Sequence, residues 1–166
     1  HLQRALKRSK KIEVSAGIGC RCKSVRDIQK SYETARLALR IAVSGLAPST
    51  CVDSEEYPAY MMLLRSYQAN PQSVQQVVDH LLEPVRKYDH AKNSSLETTF
   101  RAILQYDMNY NLVAERLFLH KNTVLQRKQK IASLYDEDPF QLPLRRQFEF
   151  AFILESLYDR KHTSHL

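Results

Sequence analysis

Residues 111–130 combine small and apolar residues with amide, hydroxyl and cationic side chains, at the spacing of two short helices joined by a turn. Ala114 is small enough to let the two helices approach each other closely. Leu117 and Leu119 flank the predicted turn and are expected to face the core, and Val124 anchors the second helix. Such a unit holds its second helix away from the body of the domain, so that the first side chains of that helix can enter a DNA major groove.

The side chains around the start of the second helix suit contacts with DNA. Asn and Gln can form two hydrogen bonds to adenine, and Lys can reach guanine. Flanking cations suit the phosphates of the DNA backbone. The candidate base-contacting residues are His120, Lys121, Asn122, Thr123 and Gln126, and the candidate phosphate-contacting residues are Arg116, Arg127, Lys128 and Lys130. His120 also suits a helix cap, because a neutral imidazole nitrogen can accept an N–H.

The distribution of charge favours an anionic partner for this segment. The chain has 25 Lys and Arg against 18 Asp and Glu, a net charge of +7. Most of the excess lies in residues 1–52, which carry +8, whereas residues 53–95 carry −2 and residues 96–166 carry +1. Residues 116–135 nevertheless hold five cations and no acid, and the acidic run at 136–138 conceals this local charge in the total. An ordinary helical hairpin with a solvated basic face is the alternative interpretation.

The composition is typical of a mainly helical globular protein. Three glycines in 166 residues argue against barrels, sandwiches and glycine-rich phosphate loops. Hydrophobic residues make up 43% and charged residues 26% of the chain, which are ordinary values for a globular protein. The sequence has no apolar run of about 18 residues and no signal peptide, so we expect no membrane partner.

The cysteines and glycines predict no metal or cofactor site. Cys20 and Cys22 lack the second cysteine pair of a typical zinc site, and Cys51 stands alone, so reduced thiols are expected. Gly17 and Gly19 lack the third glycine and the lysine of a phosphate loop, so we expect them to end a strand.

The first third of the chain predicts a strand, a helix and a second strand. Residues 12–18 alternate loosely between apolar and polar types, and residues 50–52 favour a short strand. Ser24 followed by Asp27 is close to a capping box, which predicts the start of a helix that Gly45 ends. Apolar residues spaced three and four apart predict the buried face of this helix, namely Val25, Ile28, Tyr32, Ala35, Leu39 and Ala42.

From residue 53 onward the pattern is almost wholly helical. Ser73 is expected to cap a helix that Pro84 interrupts, and residues 87–94 are expected to form a polar linker. Ser94 with Glu97 predicts a capping box that opens the next helix. Further helices are predicted at residues 60–67, 112–117, 121–134 and 144–158. The last of these is apolar around most of its circumference, which is typical of a helix in a core or a dimer interface.

Residues 95–100 and 114–124 resemble the C-terminal DNA-binding domain of the PucR/CdaR family, bacterial transcription regulators of purine, sugar-diacid and related catabolism. The family pattern is approximately A-x-x-L-f-v-H-r-N-T-v-x-y-R-L, inside a five-helix domain. The matching residues are Ala114, Leu117, Phe118, His120, Asn122, Thr123 and Arg127, with Lys121 in place of arginine. Gln126 replaces a usual tyrosine and Lys128 a usual leucine. Phe118 also stands where many helix-turn-helix units have glycine, which predicts backbone strain or a longer turn.

The resemblance extends upstream and implies an arrangement of domains. Residues 14–19 and 31–39 are similar to the end of the GGDEF-like domain that precedes the helix-turn-helix domain in this family, and residues 82–89 are similar to its connector. The implied parts are a C-terminal GGDEF-like remnant at 1–53, a helical connector at 54–94 and a helix-turn-helix DNA-binding domain at 95–166. We therefore expect a mainly α fold, with a C-terminal helical bundle preceded by a truncated α+β segment. The rest of the GGDEF-like domain and any sensor domain are expected to lie outside the chain.

The resemblance implies a sequence-specific transcriptional regulator of a catabolic operon, which contacts the major groove of double-stranded DNA with the helix at 121–134. It also implies a homodimer, a small-molecule effector that acts through upstream domains, a bacterial cytoplasmic location, no cofactor and no enzymatic activity. One alternative is a helical protein-interaction module that docks a partner through the last helix. Another is the remnant of a nucleotide-cyclase-like enzyme, which would be inactive because the chain has no Gly-Gly-Asp/Glu-Glu-Phe string.

Overall fold

The structure, a computed structural model, describes residues 14–158 and divides the chain into two compact units. Within the described range, the first unit contains the residues up to Pro71 together with residues 154–158, and the second contains Gln72–Ile153. The elements are β1 (Ala16–Ile18), α1 (Ile28–Ser44), β2 (Cys51–Asp53), α2 (Pro58–Ala69), α3 (Pro71–Lys92), α4 (Leu96–Gln105), α5 (Tyr110–Arg116), α6 (Lys121–Ala132) and α7 (Leu144–Tyr158). The predicted mainly α fold with a small α+β segment at its start is confirmed.

The first unit is built on a strand–helix–strand segment. Strands β1 and β2 pair in parallel, with Ala16 opposite Cys51 and Ile18 opposite Asp53. Parallel strands cannot be joined by a tight turn, so helix α1 supplies the crossover between them. The helix ends at Gly45, whose φ of 72° is the left-handed conformation predicted for a C-cap glycine. Of the predicted first strand, residues 12 and 13 lie outside the described range.

Gly17 and Gly19 allow β1 to lie directly against the backbone of α1. A Cβ atom at Gly17 would lie 2.1 Å from the carbonyl oxygen of Ala35, and one at Gly19 would lie 2.0 Å from that of Ser31. Neither distance is sterically possible, so only glycine fits at these positions. The glycine pair therefore serves helix–strand packing at the end of a strand, in agreement with the sequence-based interpretation.

The predicted buried face of α1 is wrong over its first turns. Val25 is 82% exposed, and Ile28 and Tyr32 are also exposed. The side chains that α1 buries are Thr34, Leu37, Ala38, Ile41 and Ala42. The sequence of α1 contains two overlapping apolar stripes, and only one of them can be buried. Strand β1 lies directly against the backbone of α1 at Ser31 and Ala35, so the stripe on that side of the helix faces the core.

Helix α3, nearly all of it in the second unit, is continuous over 22 residues, so three predictions about it are wrong. Pro84 lies inside the helix and does not interrupt it, and residues 87–92 are its last turns, where a linker was expected. A proline inside a helix costs about 3 kcal/mol. Val78, Leu82 and Val85 are buried on one face around it, and their packing offsets this cost. Ser73 is not the predicted cap, because it lies within the first turn and Pro71 is the first helical residue, a position where proline is favoured.

An aromatic cluster forms the core of the second unit. Phe100 of α4 is fully buried, and its ring centroid lies 4.9 Å from that of Phe148, 5.1 Å from Phe140 and 5.4 Å from Phe152. Tyr135 packs edge-on against Phe148, and its hydroxyl donates a hydrogen bond to the Leu81 carbonyl oxygen at 3.1 Å. Burial raises the pKa of Tyr135, which keeps this phenol protonated as a donor.

Helix α7 has the predicted bounds, Leu144–Tyr158. Its buried residues include Phe148 and Phe152 in the second unit and Leu157 in the first. In the first unit the Tyr158 hydroxyl donates a hydrogen bond to the Leu64 carbonyl oxygen at 2.8 Å. Much of the apolar circumference of α7 is therefore buried within the protein, whereas Phe150 is 51% exposed.

Over residues 14–158, no helix combines the length and the apolar character needed to cross a membrane. Within the same range, no cluster of three or more His, Cys, Asp or Glu side chains is placed to hold a metal ion. Cys20, Cys22 and Cys51 are free thiols.

Candidate nucleic-acid interface

Helices α5 and α6 form a helix-turn-helix joined by residues 117–120. Asn109 caps α5, because its side-chain Oδ1 accepts a hydrogen bond from the Leu112 N–H at 3.2 Å. Val113 and Ala114 are buried on α5, and Val124 and Ile131 are buried on α6. Leu117 and Leu119, which were expected to face the core, are half-buried. The helices thus pack through the small and apolar residues that the spacing predicted.

The turn itself is a Schellman motif made without glycine. The Leu119 N–H donates to the Ala114 carbonyl oxygen at 2.8 Å, and the Phe118 N–H donates to that of Glu115 at 3.2 Å. Phe118 has a φ of 53°, so the turn contains the expected backbone strain. The alternative that was expected, a turn lengthened by extra residues, does not occur. A left-handed conformation costs a residue with a side chain about 1–2 kcal/mol. The backbone bonds, not the phenylalanine ring, close the turn.

His120 caps α6 with its ring. Its Nδ1 accepts a hydrogen bond from the Asn122 N–H at 3.2 Å, which is the capping role considered for this residue. A nitrogen that accepts carries no proton, so the neutral ring carries its proton on Nε2. The imidazole therefore orders the first turn of α6, where the candidate base-contacting residues begin.

The exposed side of α6 carries a row of amide side chains. Asn122, Gln126 and Gln129 are exposed and recur at spacings of four and three, so they share one face of the helix. Gln129 is absent from the predicted site residues, and its spacing of seven from Asn122 is the signal that marks it. Lys121 is exposed at the N-terminal end of α6, and Thr123 is half-buried beside the row.

Arg127 faces into the domain. Its Nη1 donates hydrogen bonds to Oγ1 of Thr99, in the first turn of α4, at 2.8 Å and to Oγ of Ser95, the N-cap residue of α4, at 3.1 Å. Thr99 is fully buried. Arg127 therefore ties α6 to α4, a contact between distant parts of the sequence that spacing within α6 does not reveal.

The other flanking cations lie over aromatic rings of the second unit. The Lys130 Nζ is 4.8 Å from the ring centroid of Tyr88, and the Lys128 Nζ is 5.2 Å from that of Phe140. The Arg116 guanidinium carbon is 5.9 Å from the centroid of Tyr106. Such contacts hold long cationic side chains along the surface. Lys130 and Arg116 remain exposed, whereas Lys128 is half-buried.

The turn that precedes α5 is held by α7. Asp107 and Met108 both have positive φ values, 47° and 60°. The Arg145 guanidinium donates a hydrogen bond to Asp107 Oδ1 at 2.5 Å and another to Glu149 Oε1 at 2.7 Å. The hydrogen bond to Asp107 raises the pKa of Arg145 further above its ordinary value. The start of the helix-turn-helix is therefore fixed by a contact from outside it.

Asp89, near the end of α3, caps the first helix of this region. Its carboxylate accepts hydrogen bonds from the Leu96 N–H at 2.8 Å and the Glu97 N–H at 2.9 Å, and one from the Ser94 hydroxyl. The predicted capping box of Ser94 with Glu97 is thus wrong: Ser95 is the N-cap residue, and its side chain makes no capping bond. Arg86 reinforces the junction, because Nε and Nη2 donate to the two Glu97 oxygens at 3.1 and 3.2 Å.

We expect Asp89→Ala to lower the free energy of unfolding of the second unit by about 1–2 kcal/mol, as is usual when a helix loses its N-cap side chain. Asp89→Asn keeps one accepting oxygen, so it should lower the free energy of unfolding by less than Asp89→Ala. Urea denaturation followed by circular dichroism measures both changes, with Asp136→Ala, an exposed acid in the loop after α6, as the control. Equal, negligible effects of all three substitutions would contradict the capping role.

Comparison with known proteins agrees with this architecture. Residues 96–154 match the family model of the PucR C-terminal helix-turn-helix domain, and residues 1–41 match that of a GGDEF-like domain. No match was found among curated proteins or among solved structures. Residues 96–154 contain α4, α5 and α6 and most of α7, so the match covers every side chain of the candidate interface. The two matches occur in the expected order: residues 96–154 form a PucR-type helix-turn-helix domain, which supports a DNA-binding transcriptional regulator, and residues 1–41 are GGDEF-like sequence.

Proposed function

We propose that the protein regulates a bacterial catabolic operon by placing α6 in the major groove of double-stranded DNA. The observation that carries this proposal is the exposed amide row of Asn122, Gln126 and Gln129 on a helix whose opposite side is packed into the domain. Amide side chains can each form two hydrogen bonds with adenine in the major groove. The match to the PucR-type helix-turn-helix domain supports DNA binding in general, and the amide row suggests which face of α6 contacts the bases.

The roles of the individual residues follow from their surroundings. Asn122 and Gln126 contact bases, with Gln129 as an addition to the predicted set, while Lys121, Thr123 and the His120 Nε2–H contact bases or the backbone near the start of α6. Arg116 and Lys130 contact phosphates, for which their exposure suits them. Arg127 was a candidate for a phosphate contact, but its hydrogen bonds to Thr99 and Ser95 favour a positioning role.

The wider arrangement belongs to the same proposal. We infer a homodimer that contacts two half-sites about one helical turn apart, an effector that acts through upstream domains, a cytoplasmic location and no enzymatic activity. We propose that Phe150, an apolar side chain that is half exposed on α7, lies in the dimer contact. The boundaries at 53/54 and 94/95 between the GGDEF-like remnant, the connector and the DNA-binding domain stay predictions.

The proposal is tested by selecting bound sequences from random duplexes and then titrating the full chain against the selected and a scrambled duplex by fluorescence anisotropy. We expect the selected duplex to bind at least tenfold more tightly at physiological salt, and affinity for both to fall steeply as salt rises. Equal affinity for the two duplexes under these conditions would exclude sequence-specific recognition. A stable complex with another protein, in the absence of any DNA binding, would favour the interaction-module alternative.

Lys130→Ala should weaken binding to selected and scrambled duplexes alike, because a phosphate contact carries no sequence information. The slope of log affinity against log salt should fall in magnitude by about 1. Lys87→Ala, which removes an exposed lysine of α3, is the matched control and should change neither quantity. A Lys130→Ala loss confined to the selected duplex would contradict the assignment to phosphate.

A further inference from the structure

Phe118 is placed in a way that the turn does not explain. Its side chain is 96% exposed, the highest value among the exposed large hydrophobic residues in the described part of the chain. Its backbone is also in the left-handed region, which favours glycine. The ring thus brings neither burial nor a favourable conformation to the folded protein.

The turn does not require a side chain at this position. Its two closing hydrogen bonds run from the backbone N–H groups of Phe118 and Leu119 to the backbone carbonyls of Glu115 and Ala114. Glycine would make the same bonds without strain. Residues held in such strained backbone conformations cluster at binding and catalytic sites, so the strain at Phe118, together with its exposed ring, points to a contact made outside the folded chain.

The position of Phe118 indicates what that contact is. It lies two residues before His120, the N-cap of α6, and three and four residues before the exposed Lys121 and Asn122. The surrounding segment, residues 116–135, holds five cations and no acid, which favours a polyanion. A stable protein–protein interface buries roughly 800 Å² of surface on each partner, far more than one ring supplies. A DNA duplex offers small apolar groups at this scale, namely thymine methyl groups in the major groove and deoxyribose carbons along the backbone.

We propose that the Phe118 ring is a DNA-contacting group that packs against an apolar part of the duplex when α6 occupies the major groove. The inference rests on the proposed function and adds to it a residue outside α6. It assigns the strained turn a role, since the left-handed backbone directs the ring outward beside the start of α6. Replacing Phe118 by a residue that accepts the left-handed conformation but has no apolar ring is then expected to raise the stability of the fold and to weaken DNA binding.

The test uses Phe118→Gly and Phe118→Asn, two residues that accept the left-handed conformation but carry no apolar ring. Both variants of the full chain should melt about 2–4 °C higher than the natural protein, because strain is relieved. Both should bind the selected duplex roughly tenfold more weakly. Phe118→Tyr, which keeps the ring, should retain affinity, and Val25→Asn, which removes an exposed apolar side chain of the first unit, should not affect it.

Duplexes in which uracil replaces thymine separate the two sources of apolar contact. If the ring packs on a thymine methyl, uracil at one position should weaken binding of the natural protein but not of Phe118→Asn. If it packs on deoxyribose, Phe118→Asn should lose affinity equally for selected and scrambled duplexes. Unchanged affinity of both the Gly and Asn variants would overturn the proposal, and so would a lower melting temperature in both, which would show that the ring stabilises the fold.

Loss of DNA affinity together with dissociation of a dimer in sedimentation experiments would assign Phe118 to a protein contact and would also overturn the proposal. Failure of the natural protein to distinguish selected from scrambled duplexes would instead refute the proposed function, whatever the variants do. The two failures are therefore distinguishable.

Discussion

Phe100→Ala is expected to lower the free energy of unfolding of the second unit by about 3–5 kcal/mol. The ring is fully buried among Phe140, Phe148 and Phe152, at centroid distances of 4.9 to 5.4 Å. Truncation removes its apolar burial and its edge-to-face contacts, and it leaves a cavity that three rigid rings cannot collapse to fill. Since small domains are stable by only about 5–15 kcal/mol, a large part of the stability of the DNA-binding region should be lost.

Urea denaturation of the full chain, followed by circular dichroism, measures this change. Val77→Ala on α3 is the control in the same unit, because that side chain is 60% exposed and its truncation should cost less than about 1 kcal/mol. If both substitutions cost the same, the aromatic cluster would not be the core of this unit.

Asn122→Ala is expected to weaken binding to the selected duplex by about 10- to 100-fold, while binding to a scrambled duplex changes little. A bidentate contact to a base discriminates by about 1–3 kcal/mol, and that discrimination is lost with the amide. The substitution should leave the fold intact, because the bond to His120 uses the backbone N–H of Asn122 and not its side chain. Alanine is also a better helix former than asparagine.

Fluorescence anisotropy with both duplexes measures the change in specificity, and thermal denaturation confirms that the variant is folded. Gln76→Ala removes an exposed amide from α3, outside the helix-turn-helix, and should leave both affinities unchanged. An Asn122→Ala variant that loses affinity equally for both duplexes would place Asn122 on the phosphates, and one that loses none would remove it from the interface.

The candidate interface was largely predictable because its signals are local. Helix caps, turn conformations and the spacing of apolar residues all act between residues four or five positions apart. Ala114, Val124 and the imidazole cap of His120 therefore lie where the motif predicted them. The bounds of α7 were also predictable, since a segment that is apolar on several sides must be buried and its ends are marked by a proline before it and polar residues after it.

The predictions that failed involve competition between a local signal and a distant contact. Ser94 looks like a helix cap, but the Asp89 carboxylate from the end of α3 occupies the N–H groups of Leu96 and Glu97. Pro84 is a helix breaker by itself, yet the burial of Leu82 and Val85 keeps α3 continuous. In both cases the energy of a tertiary contact exceeds that of a local preference of about 1–3 kcal/mol.

Residue types and spacing alone were sufficient to predict the helix-turn-helix and its candidate DNA-contacting residues, and the resemblance to a known family pattern identified the type of this domain. Only the folded chain shows that Arg127 points to Thr99 and Ser95 and that Val25 and Tyr32 are exposed. It also shows that Phe118 is directed into solvent. The physical reason is that periodicity determines which residues share a face of a helix, whereas the face that is buried depends on which distant elements pack against it.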